Sequence, residues 1–171
     1  MHPHLTIAAA DIASEFSALL HANRKIVFKV AATYAWTEAD RADLAQEIAT
    51  QLWSAFAHYD RSRPFTTWMY RVALNTGMAH ARAETVKRRH LDGDAAHAIE
   101  HVADAARTDE AEALVLLSQA MARLERGDRA LLLLHLEARS STEIADILGI
   151  SATNVTTRLS RIRQRLSARL T

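Results

Sequence analysis

The sequence predicts an all-α protein, two small helical domains joined by a flexible acidic linker, with a helix-turn-helix in the second. Three observations carry this. Only four glycines and two prolines occur in 171 residues, while Ala, Leu, Arg and Glu abound, which favours helix over barrel or sandwich. Apolar residues recur at helical spacing along both ends of the chain. Between about His90 and Arg107 that period is lost, and small residues, Gly93 and scattered acids take its place. Apolar residues make up 49% of the chain, enough for a packed core in each half.

The first helix is expected over 11–35, with Ile12, Phe16, Leu19, Leu20, Ile26, Val27 and Val30 on its stripe. A break follows near Ala35–Thr37. Thr37 and Asp40 form a capping pattern for a second helix, in which Leu44, Ile48, Leu52 and Phe56 repeat every four residues. Asp40, Asp43, Gln46 and Glu47 fall largely on the other side. His58–Pro64 reads as a loop, since Pro64 biases Arg63 away from helix. A third helix then runs from about Thr66 to Arg89. The expected domains are 8–90 and 112–171, with a linker over 91–111.

In the second domain Leu114, Leu117, Met121 and Leu124 suit one helix. Gly127 and Asp128 read as a break, and Arg129–Glu137 as the next helix. Ser140-Ser141-Thr142-Glu143 is a capping box ahead of Ile144, Ala145, Ile147 and Leu148, and Gly149 is a C-terminal stop. Ser151 caps a final helix whose buried face is Val155, Leu159, Ile162, Leu166 and Leu170. A short helix, a glycine turn, a cap and a longer helix make a helix-turn-helix, whose second helix offers its first turns to base edges in the major groove. Thr153, Asn154, Thr156 and Thr157 stand in those turns, and Arg158, Arg161 and Arg165 continue one stripe.

The formal net charge of +1 hides a pattern. Arg82, Lys87, Arg88 and Arg89 form a basic block. Asp92, Asp94, Glu100, Asp104, Asp109, Glu110 and Glu112 follow as an acidic one, and from Ser151 onward there are five arginines and no acid. Two basic patches joined by an acidic tether fit contact with nucleic acid at two places. In DRSRPFTTWMYRVALN, residues 60–75, Arg61, Arg63 and Arg71 interleave with Phe65, Trp68 and Tyr70. Rings stack on unpaired bases and arginines hold the backbone. Trp68, Val72 and Ala79 also suit the plain core stripe of a helix.

These residues are similar to a known family. Asp43-Leu44-Ala45-Gln46-Glu47, Leu52-Trp53 and Phe65 through Asn75 resemble the second conserved domain of extracytoplasmic-function sigma factors of bacterial RNA polymerase. Leu124 through Arg129 and Glu143 through Ser151 resemble their fourth domain. The resemblance implies that the helix face bearing Asp40, Asp43, Gln46 and Glu47 docks on core RNA polymerase. It implies that Arg61, Arg63, Phe65, Tyr70, Arg71, Asn75 and Arg82 engage the downstream promoter element with a base flipped from the strand. It implies that Thr156, Thr157, Arg158, Ser160 and Arg161 meet the upstream element, to which the helix-turn-helix itself adds Thr153, Asn154 and Arg165. An anti-sigma factor is the further partner implied, and the acidic linker would thread the polymerase channels. The sequence departs from the family at Ala79, where Asp is frequent, at Gly127, usually polar, and at Thr156, often basic.

A conventional helix-turn-helix regulator is the alternative, which leaves the segment 59–75 without a purpose. No enzyme is expected: nucleophile elbow, P-loop and dinucleotide fingerprint are all missing. No cofactor or metal is expected either. There is no cysteine, and His97 and His101 lack a Glu-X-X-His companion. Met1–Ala10 does not read as a signal peptide, and no run is long enough for membrane insertion, so a cytoplasmic protein is expected.

Overall fold

The structure, a computed structural model, describes residues 3–91 and 109–170, with side chains over 9–90 and 112–168. Of the expected linker 91–111, residues 92–108, with the pair His97 and His101, lie outside the described residues, while residue 91 ends α3 and 109–111 open α4. The rest is helical: α1 (Pro3–Tyr34), α2 (Glu38–Phe56), α3 (Phe65–Leu91), α4 (Asp109–Ala122), α5 (Arg126–Leu136), α6 (Ser141–Leu148) and α7 (Ala152–Leu170).

The first three helices pack on one another pairwise. Leu44, Ile48, Leu52 and Phe56 of α2 are buried as their spacing requires. Each such side chain contributes about 1.5–3 kcal/mol on burial. Thr37 caps α2, its Oγ1 accepting from the Asp40 N–H at 3.1 Å. α1 supplies Phe16, Ile26, Val27, Val30, Ala31 and Tyr34. It begins at Pro3, well before the expected Asp11. On α3 the buried line is Phe65, Met69, Tyr70, Ala73 and Leu74, while Trp68 and Val72 are half-buried and Ala79 is exposed. The expected alternative stripe is therefore rotated by about one position. α1 and α3 meet at Gly77, where a Cβ would stand 2.6 Å from the Tyr34 ring, so only glycine permits this approach.

In the second half, α5 buries Ala130 through Leu134 without interruption. Five consecutive buried residues mean a helix enclosed on several sides: α6 and α7 flank it, and α1 and α3 lie against it too. The expected break at Gly127 and Asp128 falls earlier, over 123–125, and both residues sit in the first turn of α5. Arg129 ties this corner together. Its guanidinium donates to the Leu124 and Ala122 carbonyls at 2.9 and 3.1 Å, closing the end of α4, and lies over the rings of Tyr34 and Trp36. The capping box of α6 is complete, and Gly149 ends that helix at φ 68°, the left-handed conformation that favours glycine. Ser151 caps α7 through the Asn154 N–H at 3.1 Å.

The two halves touch along a seam. The Tyr34 hydroxyl donates to the Arg126 carbonyl at 2.7 Å, and Lys29 donates to the Glu137 carboxylate at 2.5 Å. Burial pushes the Tyr34 phenol far up from its ordinary range, so it remains a donor. Among the described residues no helix is long and apolar enough to cross a membrane.

Candidate nucleic-acid interface

The exposed face of α7 is built by its opposite face. Val155, Leu159 and Ile162 are buried against α5 and α6, which leaves Thr153, Asn154, Thr156, Thr157, Ser160 and Arg161 exposed along one side. The hydroxyls of Thr156 and Thr157 donate back to the helix, to Ala152 and Thr153 carbonyls at 2.9 Å, so what they offer outward is their acceptor lone pairs.

Arg158 does not stand free on that stripe. Its Nε and Nη2 donate to Oδ1 of Asp128 at 3.0 and 2.6 Å, and Arg165 Nη1 lies 3.5 Å from Oδ2. Asp128 is nearly buried, so this is a charge held inside by two arginines. Gly127 lies beside this pair: a Cβ there would stand 3.0 Å from Arg158 Nη2. Sequence reasoning missed Asp128, because a partner thirty residues away leaves no periodic signal.

The expected downstream site is distributed differently. The rings form a network among themselves: Phe56 with Phe16, Tyr59, Phe65 and Trp68, and Tyr59 with Phe65 and Trp68, at centroid distances of 5.1–6.4 Å. Phe65 and Tyr70 are core, and Tyr70 carries the Arg139 guanidinium over its ring. Burial also raises its phenol. Three of the site's four arginines are engaged. Arg61 makes a two-pronged pair with Glu15 at 3.0 and 2.7 Å, which holds the Glu15 carboxyl below its usual range. Arg63 reaches Asp146 at 3.5 Å, and Arg71 donates to the carbonyls of Asp146 and Ile147. Asn75 and Arg82 are exposed on α3, one before and one after Gly77. Glu15 and Asp146 are the further residues that sequence reasoning missed.

On α2, Asp43, Gln46 and Glu47 are exposed and Asp40 is half-buried. Glu47 Oε2 lies 3.5 Å from His80 Nδ1 on α3, which braces this acidic face from behind. Asp40 and His80 line a cleft of about 710 Å³ between the halves, together with Trp36, Arg88, Arg123 and Arg126. Among the described residues no group of three or more His, Asp or Glu could hold a metal ion.

Both halves of the chain are similar to known proteins. Sigma-70 region 2 matches residues 19–86 and Sigma-70, region 4 matches residues 114–166. The chain is 28% identical over 170 residues to "Probable RNA polymerase sigma factor RfaY" of Xanthomonas campestris pv. campestris, covering 95% of this chain but 42% of that protein. It is 25% identical over 177 residues to RNA polymerase sigma factor CnrH of Cupriavidus metallidurans, covering 96% of this chain and 93% of the other. The solved structure of CnrH in complex with the cytosolic domain of CnrY superposes with a TM-score of 0.66 over 96% of this chain and 95% of that one, at 26% identity. The sigma factor RpoE in complex with the anti-sigma factor NepR, from Bartonella quintana, gives 0.67 over 94% and 96% at 20% identity, a likeness of fold.

Proposed function

This chain belongs to the sigma-70 family as a sigma factor of the extracytoplasmic-function kind, and we propose that three of its surfaces divide the work of promoter recognition. Residues 8–90 form the domain that docks on core RNA polymerase through Asp43, Gln46 and Glu47, with Asp40 at the edge, and opens the downstream element. Residues 112–171 form the domain that holds the upstream element. The chain acts by recruiting the polymerase's chemistry to a promoter, not by chemistry of its own, and its place of work is the cytoplasm.

The observation that carries this reading is the pairing, in one chain, of a region 2 helix set with a region 4 helix-turn-helix whose second helix shows a row of hydroxyls, an amide and a free arginine to solvent. Thr153, Asn154, Thr156, Thr157, Ser160 and Arg161 are the residues for base edges and phosphates. Arg158 sets the angle of α7 from within, and Arg165 adds charge beside it. The conventional regulator is not favoured, because region 2 accounts for the half of the chain that such a regulator leaves unexplained. Asn75 and Arg82 remain outward on α3 for the downstream element, joined by Arg61, Arg63 and Arg71 once their present partners release them.

An anti-sigma protein is the third partner. Exposed Phe28, Leu114, Leu116 and Leu136 offer apolar surface of the kind a protein partner covers, and of the similar solved structures RpoE is bound to the anti-sigma factor NepR and CnrH to the cytosolic domain of CnrY.

The test is transcription in vitro with core polymerase on a library of random promoters. Transcripts should share two sequence elements at a fixed spacing. No stimulation over core polymerase alone would overturn the reading.

A further inference from the structure

The cleft of about 710 Å³ carries charge that the fold does not use. Four arginines line it, Arg88, Arg123, Arg126 and Arg129, against two carboxylates, Asp40 and Glu84. Elsewhere Arg61, Arg63, Arg71, Arg139 and Arg158 each lie within 3.7 Å of a carboxylate. The cleft is different. Among the described residues none of its four arginines forms an ion pair, and the side chains of Arg88, Arg123 and Arg126 have no hydrogen-bond partner either. Arg129 spends Nε and Nη2 on the Leu124 and Ala122 carbonyls, which bring no full negative charge. Burial above all lowers its pKa from the ordinary value, the mark of a cation partly stripped of water.

Stability does not account for this placement. Arg126 is the first residue of α5, at the positive end of the helix dipole, where a cation is disfavoured. Glu125, the N-cap residue there, makes no side-chain cap bond, so that end of the helix has no anionic answer from its own cap. A concave wall lined by one sign of charge concentrates the potential inside it. Each guanidinium presents a fork of N–H donors that matches phosphate oxygens. Three such forks around one hollow are more than a single phosphate can fill, and a chain of phosphates can meet them together. The Trp36 ring forms another wall, with the Arg129 guanidinium over it at 5.5 Å. The volume lies within the range of small-ligand sites, about 300–1,000 Å³.

We propose that this cleft binds a small polyphosphate anion, either a free phosphate chain or the phosphate chain of a nucleotide, held by Arg88, Arg123 and Arg126. Arg129 stays on its carbonyls and adds its charge from behind. The ligand is gripped from α3, from the residue just past α4 and from the first turn of α5. None of these arginines belongs to the surfaces assigned to polymerase or to promoter DNA, so the site is a separate one.

The test is calorimetric titration of the full-length protein, without magnesium, with tripolyphosphate, orthophosphate and adenosine triphosphate, beside thermal melts. We expect one equivalent of tripolyphosphate to bind and to raise the melting temperature, since a ligand of the folded state stabilises it. Orthophosphate should bind at least roughly tenfold more weakly, having fewer oxygens to share among the forks. Adenosine triphosphate binding more tightly than tripolyphosphate, with the difference cancelled by Trp36→Leu, assigns a nucleotide; equal affinity assigns the phosphate chain alone. Arg88→Ala, Arg123→Ala and Arg126→Ala should each weaken tripolyphosphate by roughly ten- to hundredfold, the worth of a charge-assisted bond. Their ligand-free melts should match the parent, because these side chains have no partner to lose. Arg89→Ala removes an equal charge from an exposed position beside Arg88 but outside the cleft, and should change affinity by less than about twofold. Arg126→Lys, which keeps the charge and loses the fork, serves if Arg126→Ala does not fold, and should still bind several times more weakly. No binding of tripolyphosphate at millimolar concentration would overturn the proposal, and so would an equal loss in Arg89→Ala, the sign of diffuse attraction. A single strand of about ten nucleotides that binds more tightly than tripolyphosphate, and loses affinity in the same three variants, would assign these arginines to nucleic acid instead.

Discussion

Asp128 and Arg158 close on each other from the first turn of α5 and the second turn of α7, with Nη2 2.6 Å and Nε 3.0 Å from the one oxygen Oδ1. The angle at which α7 leaves the domain is thus set by an ion pair as well as by Val155, Leu159 and Ile162. Removing Arg158 leaves a nearly buried carboxylate with Arg165 alone. Arg158→Ala and Asp128→Ala should each destabilise the second domain by about 1.5–3 kcal/mol, and affinity for the upstream element should fall with it. Thermal melts beside band-shift titrations check this. A loss of affinity with unchanged melting would make Arg158 a direct reader.

Arg161 should behave in the opposite way. It is exposed on α7, so Arg161→Ala should leave the melt unchanged. If it makes a bidentate base contact, the loss is about 1–3 kcal/mol at one base pair. If it touches phosphate, all sequences weaken together and the salt slope shrinks by about one. Titrations at three salt concentrations separate the two.

Two glycines in helices should respond oppositely to alanine. At Gly77 the new methyl meets the ring of Tyr34 at 2.6 Å, and that ring is fixed by its bond to the Arg126 carbonyl. Overpacking of about 1–3 kcal/mol outweighs the helix gain of about 1 kcal/mol, so Gly77→Ala should destabilise. At Gly127 the neighbour is the far end of Arg158, 3.0 Å away, which has to give by only a few tenths of an ångström and can do so while keeping its bond to Asp128. Gly127→Ala should match or exceed the parent in stability while altering upstream affinity. Calorimetric melts of both variants decide this.

Reversing Asp43 and Glu47 to lysine should weaken core polymerase binding and spare the fold, because both are exposed and lie off the line of Leu44, Ile48 and Leu52. Glu47→Lys also sets a cation beside His80, so the single Asp43→Lys is the cleaner probe. Unchanged holoenzyme affinity, measured by fluorescence anisotropy, would remove this face from the docking surface.

The capping box carries a pH signature. The Ser140 N–H donates to the Glu143 carboxylate at 2.8 Å, and this bond above all holds the Glu143 pKa below its ordinary range. A lowered pKa in the folded state means that the stabilisation is complete above the unfolded value and is lost as pH falls through the folded one. Ser140→Ala should cost about 1 kcal/mol near neutrality, and Glu143→Gln should flatten the acid limb of the stability curve. Melts from pH 7 down to pH 3 check both.

Asn75→Ala should spare duplex binding by the holoenzyme and impair strand opening, since Asn75 is exposed on α3 two helical turns beyond Trp68, at the end of the proposed single-strand surface. Permanganate reactivity of unpaired thymines, read beside a band shift, separates the steps. Equal defects in both would remove the division of labour.

Local chemistry was enough for the helices and their ends. Thr37, Ser140, Gly149 and Ser151 act within four residues of themselves, and the four-residue repeat from Leu44 to Phe56 needs only a helix and a core to obey. What surrounds a charge is not local. Whether Arg158 faces DNA or Asp128, whether Arg71 is free or held by the end of α6, and whether Tyr70 offers its ring or buries it depend on residues thirty to seventy-five positions away. An arginine on an amphipathic helix satisfies the sequence pattern in either place. Only tertiary structure, by bringing a carboxylate or an unpaired carbonyl within 3.5 Å, decides which of its two equivalent partners it takes.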